Sequence, residues 1–385
     1  MKPIITHLTD TDLYKFFMGN VALQKHPNAW VKYKFKCRND INLAQYCDEI
    51  REQIHHLCTL RFTPIELSYI YRLGYFNKGF IEFLRLLQLN PDHILIYVEK
   101  GELCIYVEGP WITTIWFEIP VLSIVSEVYA RHQPKGVLKE GEKRLKAKID
   151  FLTSQAIQVF FAEFGGRRRA FFDFQHKVLI PALKTVKTFV GTSNVYCAMD
   201  HGIKAIGTMA HEYLMAYQQL TALKNFQRQA LQDWADVYRG SLGIALTDTV
   251  GMDAFLRDFD LYFAKLFDGG RHDSGDPYTW GHKWIKHIEG LGLDPTYTTG
   301  VFSDGLNFKK AIQLAGHFQH KLKPSFGIGT WLTNDMGFET PNLVMKMIEC
   351  NGSPVAKIPD SSGKGMCESP EFEATVRHTF NIKEG

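Results

Sequence analysis

The chain has 385 residues, a length that suits two domains or one large barrel with a smaller partner. Its composition, 45% hydrophobic and 22% charged, is that of a globular chain with a sizeable core, and a dispersed net charge of +3 argues against a nucleic-acid partner. The start MKPIITHLTDTD lacks the apolar segment of a signal peptide, no stretch is expected to span a membrane, and seven cysteines without a CxxC pair are expected to be reduced thiols of a cytoplasmic protein.

In chain order, Thr9-Asp10-Thr11-Asp12 reads as the cap of a helix that opens with Leu13-Tyr14-Lys15-Phe16. From Trp30 to Lys36, Val31, Tyr33 and Phe35 alternate with Lys32, Lys34 and Lys36, the pattern of a half-exposed strand with the lysines outward. Residues 42–58, 64–73 and 79–89 read as helices. Ile94-Ile96-Val98 and Leu103-Ile105-Val107 flank Glu99-Lys100-Gly101-Glu102 as a hairpin. This mixture without strand–helix alternation predicts an α+β domain over residues 1–125.

After Pro120 an apolar helix (Val121 to His132) and a charged one (Glu140 to Leu152) lead into Glu163-Phe164-Gly165-Gly166-Arg167-Arg168-Arg169. From Thr188 onward short apolar runs end in polar or glycine residues and hand over to helices. Val186 to Val190 ends at Gly191-Thr192-Ser193, and Ile203 to Ile206 at Gly207-Thr208, just before Met209-Ala210-His211-Glu212. Later ends are Thr247-Asp248-Thr249, Arg271-His272-Asp273-Ser274, Ser303-Asp304-Gly305, before a helix over Leu306 to Gly316, and Gly327-Ile328-Gly329-Thr330. Such a series predicts parallel strands with crossover helices, arranged either as a barrel or as an open doubly wound sheet. A zinc-protease site at His211 is excluded, because Met215 stands where a second histidine is needed. Cys37, Cys47 and Cys58 are likewise wrongly spaced for zinc.

The ordered motifs TDLYKFFM, FGGRRR, GTSNV, GTMAHE, RHDSGD, FSDGLN, FGIGT and SGKGMC resemble those of the bacterial nicotinate phosphoribosyltransferases, over essentially the whole chain. The resemblance implies the irregular α/β barrel of type II phosphoribosyltransferases at 126–345, with tail 346–385 returning to complete the N-terminal domain. It implies the formation of nicotinate mononucleotide and diphosphate from nicotinate and phosphoribosyl diphosphate, for NAD salvage. ATP is the implied co-substrate, placing the enzyme among the ligases. A homodimer is implied, with Tyr14 stacking on the pyridine ring and often reaching its partner subunit's site. Arg271 and Thr208 are implied to hold the nicotinate carboxylate, Arg168 and Arg169 the diphosphate, Gly329 and Thr330 the 5-phosphate, and Ser303, Asp304 and Asp273 the ribose side. Mg2+ is expected near Asp304 or Asp248, since magnesium prefers oxygen ligands. His211 is implied to become a phosphohistidine. Glu212, adjacent on a helix, is not expected to orient it. Gly166 stands where the family has Thr, and Pro359 where it has Ser, so Lys357-Ile358-Pro359-Asp360 is given no role and is expected to join the N-terminal domain.

Two rivals differ in the site they require. A nicotinamide phosphoribosyltransferase has no carboxylate for Arg271 to bind. A sugar-phosphate barrel lyase requires a Schiff-base lysine at a strand end, whereas Lys204 lies at the start of its expected strand and Lys184 comes before its own.

Overall fold

The computed structural model describes residues 2–361 and 363–382. Two sheets organise them. A five-stranded antiparallel sheet has the order β11-β10-β1-β3-β2, built from β1 (Trp30–Cys37), β2 (Ile94–Glu99), β3 (Glu102–Pro110), β10 (Leu343–Cys350) and β11 (Ser353–Pro354). A six-stranded sheet has the order β5-β4-β9-β8-β7-β6, from β4 (Phe161–Glu163), β5 (Phe189–Thr192), β6 (Ile244–Leu246), β7 (Gly269–His272), β8 (Thr299–Phe302) and β9 (Lys323–Ile328). Every pairing within the second sheet is parallel. The strands curl around one cavity, lined in turn by Ala162, Val190, Ile244, Arg271, Val301 and Ser325. This is the α/β barrel, and all its strands end on the side where polar residues were expected.

β1 alternates as predicted, with Val31, Tyr33 and Phe35 buried. It lies between β3 and β10, so the chain after the barrel returns to the first sheet, pairing Phe35 with Met345 and Val31 with Cys350. The β2–β3 hairpin turns at Lys100 and Gly101, both at positive φ, which matches the twist of the flanking strands. The helix Pro64–Arg72 starts at a capping box between Thr63 and Glu66.

Several expectations are corrected. Ile203–Ile206 forms no strand; Ala205 makes an isolated bridge to Thr192, because the chain leaves the sheet at once to reach His211. β4 was not foreseen, yet it sits between β5 and β9. Asp12 precedes the helix Leu13–Lys25 without a capping bond; its carboxylate instead accepts from Ser193 Oγ at 2.7 Å. Segment 357–360 docks on the barrel rather than the first sheet, with Ile358 N donating to Thr249 O. The run Trp111–Arg131 does have a membrane span's length and a mean hydropathy of 1.3, but 89% of its most apolar window is buried, as befits a core helix. The helix expected from Leu306 runs over Phe308–Phe318, because Asn307 caps it.

Candidate active site

The strand ends open into a cavity of about 610 Å³, roofed by β10 residues Val344 to Met347 and by Lys357 and Lys364. Most of the residues expected to act stand on its wall: Tyr14, Arg168, Thr208, His211, Arg271, Asp273, Ser303, Asp304, Gly329 and Thr330. They come from separate strand ends, so the fold, not local sequence, brings them together. Tyr14 lines the cavity of its own chain.

His211 is the first residue of the helix His211–Leu220. Its Nε2 lies 2.7 Å from Asp248 Oδ1, and its Nδ1 is 3.8 Å from Asp273 Oδ2. The other Asp248 oxygen accepts from Ser274 Oγ at 2.6 Å and lies 3.5 Å from Lys357 Nζ. Burial alone would raise the Asp248 carboxyl, but His211, Lys357 and Ser274 outweigh it and hold it well below its usual range. His211 is pushed down, first by burial and then by Lys357, despite Asp248 and Asp273. The imidazole is therefore neutral near pH 7. An ionised Asp248 only accepts, so Nε2 carries the proton and Nδ1 keeps its lone pair. Glu212 points elsewhere, bonding buried Lys15 at 2.6 Å, with Glu118 on the same ammonium at 2.5 Å.

Arg271 donates from Nη1 to Met209 O at 3.1 Å, while its buried Nε has no partner among the described residues. A guanidinium left with an unmet donor inside a cavity suits a planar carboxylate ligand. Further cations line the same cavity. Arg168 is pushed down to about 9 by burial and by Arg167 and Arg38. Lys346 is pushed down to about 7 by burial and by Arg38, Lys357, Lys36 and Arg167. Like charges held together at a cost to one another are what an anionic ligand relieves.

The carboxylates divide by accessibility. Asp248 is 1% exposed, with both oxygens engaged, so it does not fit a hydrated magnesium ion. Asp273 and Asp304 are 28% and 30% exposed. Asp273 accepts from Ser303 at 3.0 Å, and Asp304 pairs with Lys364 at 2.5 Å. These two are the oxygen donors that fit.

Arg169 is a correction. It is fully buried and clamps Asp10 from two nitrogens, at 2.5 and 2.7 Å, below the cavity floor. Arg167 takes its place on the wall, because Gly166–Arg168 is a 3₁₀ turn that rotates consecutive side chains apart. At Gly166 a Cβ would sit 3.4 Å from Asp12 Oδ1, ordinary contact, so a side chain is accommodated there. At Gly165 a Cβ would collide with Thr333 and approach Gly329 O to 2.9 Å. Gly165→Ala is expected to force the β4 and β9 exits apart, costing about 1–3 kcal/mol by denaturant titration. The tail passed over in the sequence supplies Lys357 and Lys364, and it is anchored by Asp360 N donating to Ser274 Oγ and by the Ser361 hydroxyl accepting from Gly275 N. Only spatial proximity reveals these lysines. Lys184 and Lys204 do not line the cavity.

Comparison with known proteins agrees. The profile of the nicotinate phosphoribosyltransferase family matches residues 159–384, and that of its N-terminal domain residues 9–126. The nicotinate phosphoribosyltransferase of Bordetella bronchiseptica is 49% identical over 389 aligned positions, 98% of this chain and 96% of that protein; that of Burkholderia mallei is also 49% identical, over 99% and 98%. The crystal structure of nicotinate phosphoribosyltransferase from Vibrio cholerae superposes with a TM-score of 0.95 at 37% identity, covering 100% of this chain and 95% of that one. With both profiles matched and relatives about half identical over nearly its whole length, the chain belongs to the nicotinate phosphoribosyltransferase family.

Proposed function

We propose that this nicotinate phosphoribosyltransferase couples nucleotide formation to ATP hydrolysis through phosphorylation of His211. The observation that carries the reading is the His211–Asp248 pair, a neutral imidazole whose Nδ1 lone pair is set free by a buried carboxylate, on the wall of a cation-rich cavity. Nδ1 attacks the γ-phosphorus of ATP and ADP leaves; Asp248 holds the Nε2 proton and steadies the positive ring. Water later takes the phosphoryl group, giving phosphate and the free imidazole.

In the transfer, the Arg271 guanidinium and Thr208 hold the nicotinate carboxylate, and Tyr14 lies on the ring face. The pyridine nitrogen then attacks C1 of phosphoribosyl diphosphate as diphosphate departs. The oxocarbenium character of that step requires positioning and charge rather than a covalent nucleophile. Arg167, Arg168 and Lys346 receive the diphosphate, and Gly329 and Thr330 the 5-phosphate. Asp273 and Asp304 would hold Mg2+, which supplies charge neutralisation for the phosphates. Two-fold assembly belongs to the same reading.

Incubation with γ-labelled ATP tests it. An acid-labile, alkali-stable protein label that disappears in His211→Ala is expected. Product formed without any label would make the transferase an uncoupled one. Arg271→Ala is expected to raise the KM for nicotinate by roughly 30-fold or more, about 2–4 kcal/mol, and unchanged nicotinate affinity would move the specificity toward nicotinamide.

Lys346 predicts a pH dependence. An anion raises the pKa of a lysine held near 7, so binding takes up a proton. Affinity for phosphoribosyl diphosphate is therefore expected to be level below pH 7 and to fall as pH rises above it, by up to about tenfold per unit. Isothermal titration in buffers of different ionisation enthalpy measures the uptake, which Lys346→Gln should abolish.

A further inference from the structure

Outside the cavity, a second group of ligating side chains meets on the far side of the β4–β5 loops. We propose that His176, Asp200 and His201 form a site for one divalent transition-metal ion of the zinc class. One ligand atom from each lies within 4.8 Å of the other two, and none of the three lines the active-site cavity. His176 Nε2 and Asp200 Oδ2 are already 2.8 Å apart. Ligands of one tetrahedral zinc stand roughly 3.3 Å apart, given metal–nitrogen bonds of about 2.0–2.1 Å. That pair thus fits with little change, and a ligand atom of His201 lies within 4.8 Å of both.

The surroundings favour ligation over a simple surface pair. His201 Nε2 donates to the His176 carbonyl at 2.8 Å, so its Nδ1 lone pair is left for a metal, with the N–H···O=C support usual behind a ligating histidine. His176 is held by a stacked Phe172, ring centroids 5.2 Å apart, with Tyr196 beside it, and its buried Nδ1 has no hydrogen-bond partner among the described residues. Asp200 is half exposed, giving an ion access and room to keep water. Lys184 donates to the His201 carbonyl at 2.9 Å and so fixes the end of the helix that carries it. Two imidazoles and one carboxylate match zinc, cobalt or nickel better than magnesium or calcium.

The site joins two elements that carry the cavity floor. His176 lies in the π-helical turn Gln175–Leu179, whose Gln175 bonds Glu163 and Arg169. Asp200 and His201 end the helix Val195–His201, whose cap Asn194 bonds Asp10. A bound ion therefore ties the turn to the helix end from outside, without touching substrate.

Chelator-treated full-length protein is titrated with Zn2+ by equilibrium dialysis and with Co2+ by visible absorption. One equivalent is expected for the parent and for His211→Ala, with affinity lowered at least about tenfold in Asp200→Asn, His176→Gln and His201→Ala. Zn2+ should also raise the unfolding midpoint of the parent but not of these variants. Asp200→Asn changes a half-exposed side chain, so it keeps the test readable if a histidine variant fails to fold. Undiminished binding in Asp200→Asn, loss of binding in His211→Ala, or no saturable binding below roughly 100 μM, a ΔG of about −5.5 kcal/mol, overturns the proposal.

Discussion

Asp248→Asn is expected to lower the proposed ATP-dependent phosphorylation of His211 by roughly 10³-fold or more while leaving nicotinate affinity close to that of the parent. The carboxylate at 2.7 Å from Nε2 decides which imidazole nitrogen carries the proton. A carboxamide presents an N–H₂ as readily as a carbonyl, so it no longer requires Nε2–H, and the lone pair can turn away from the cavity. It also removes the negative charge facing the cationic ring that forms on phosphorylation. Lys357, 3.5 Å from the same carboxylate, is then left without its counter-charge. Quench-flow measurement of the labelled histidine, beside equilibrium binding of nicotinate, separates this from general damage. Loss of both in parallel would make Asp248 a structural residue.

Asp10→Ala is expected to cost about 3–5 kcal/mol of stability, because it strands the buried Arg169 guanidinium. That guanidinium has no exposure, its Nε has no hydrogen-bond partner among the described residues, and the Glu127 carboxylate stands 3.9 Å from that nitrogen. Asn194 loses an acceptor in the same step. The double variant Asp10→Leu/Arg169→Met removes both charges and is expected to regain most of the loss in urea titration. Failure of the double variant to recover would mean that the pair acts through the wider network rather than through its charges.

The parallel strands were legible because most of their ends carry a local signature, a glycine or small polar group, while the choice of a barrel over an open sheet came from the resemblance. The same signal failed at Ile203–Ile206, where an apolar run makes only a single bridge, Ala205 to Thr192, before it crosses to a helix. β4 is three residues long and so carries too little periodicity to read. Among the consecutive arginines, composition cannot say which one turns inward; that depends on the 3₁₀ turn and on Asp10, more than 150 residues away. Asp248 was visible as a carboxylate at a strand end, but its partnership with His211 needed the closure of the barrel. Lys357 and Lys364 were invisible as site residues for the same reason, since their partners Asp248 and Asp304 follow earlier strands, β6 and β8.

The position of β1 has a consequence during synthesis. Its inner partner β3 follows soon, but β10, on its other side, is made roughly 300 residues later. At about 5–20 residues per second, the edge of β1 waits some 15–60 s on the ribosome with its backbone donors and acceptors unpaired. Val31, Tyr33 and Phe35 lack their facing residues for that time, which makes this hairpin-plus-strand the segment most open to pairing with a second nascent chain. Yield on expression should therefore depend on chaperone supply more steeply than the stability of the finished protein does.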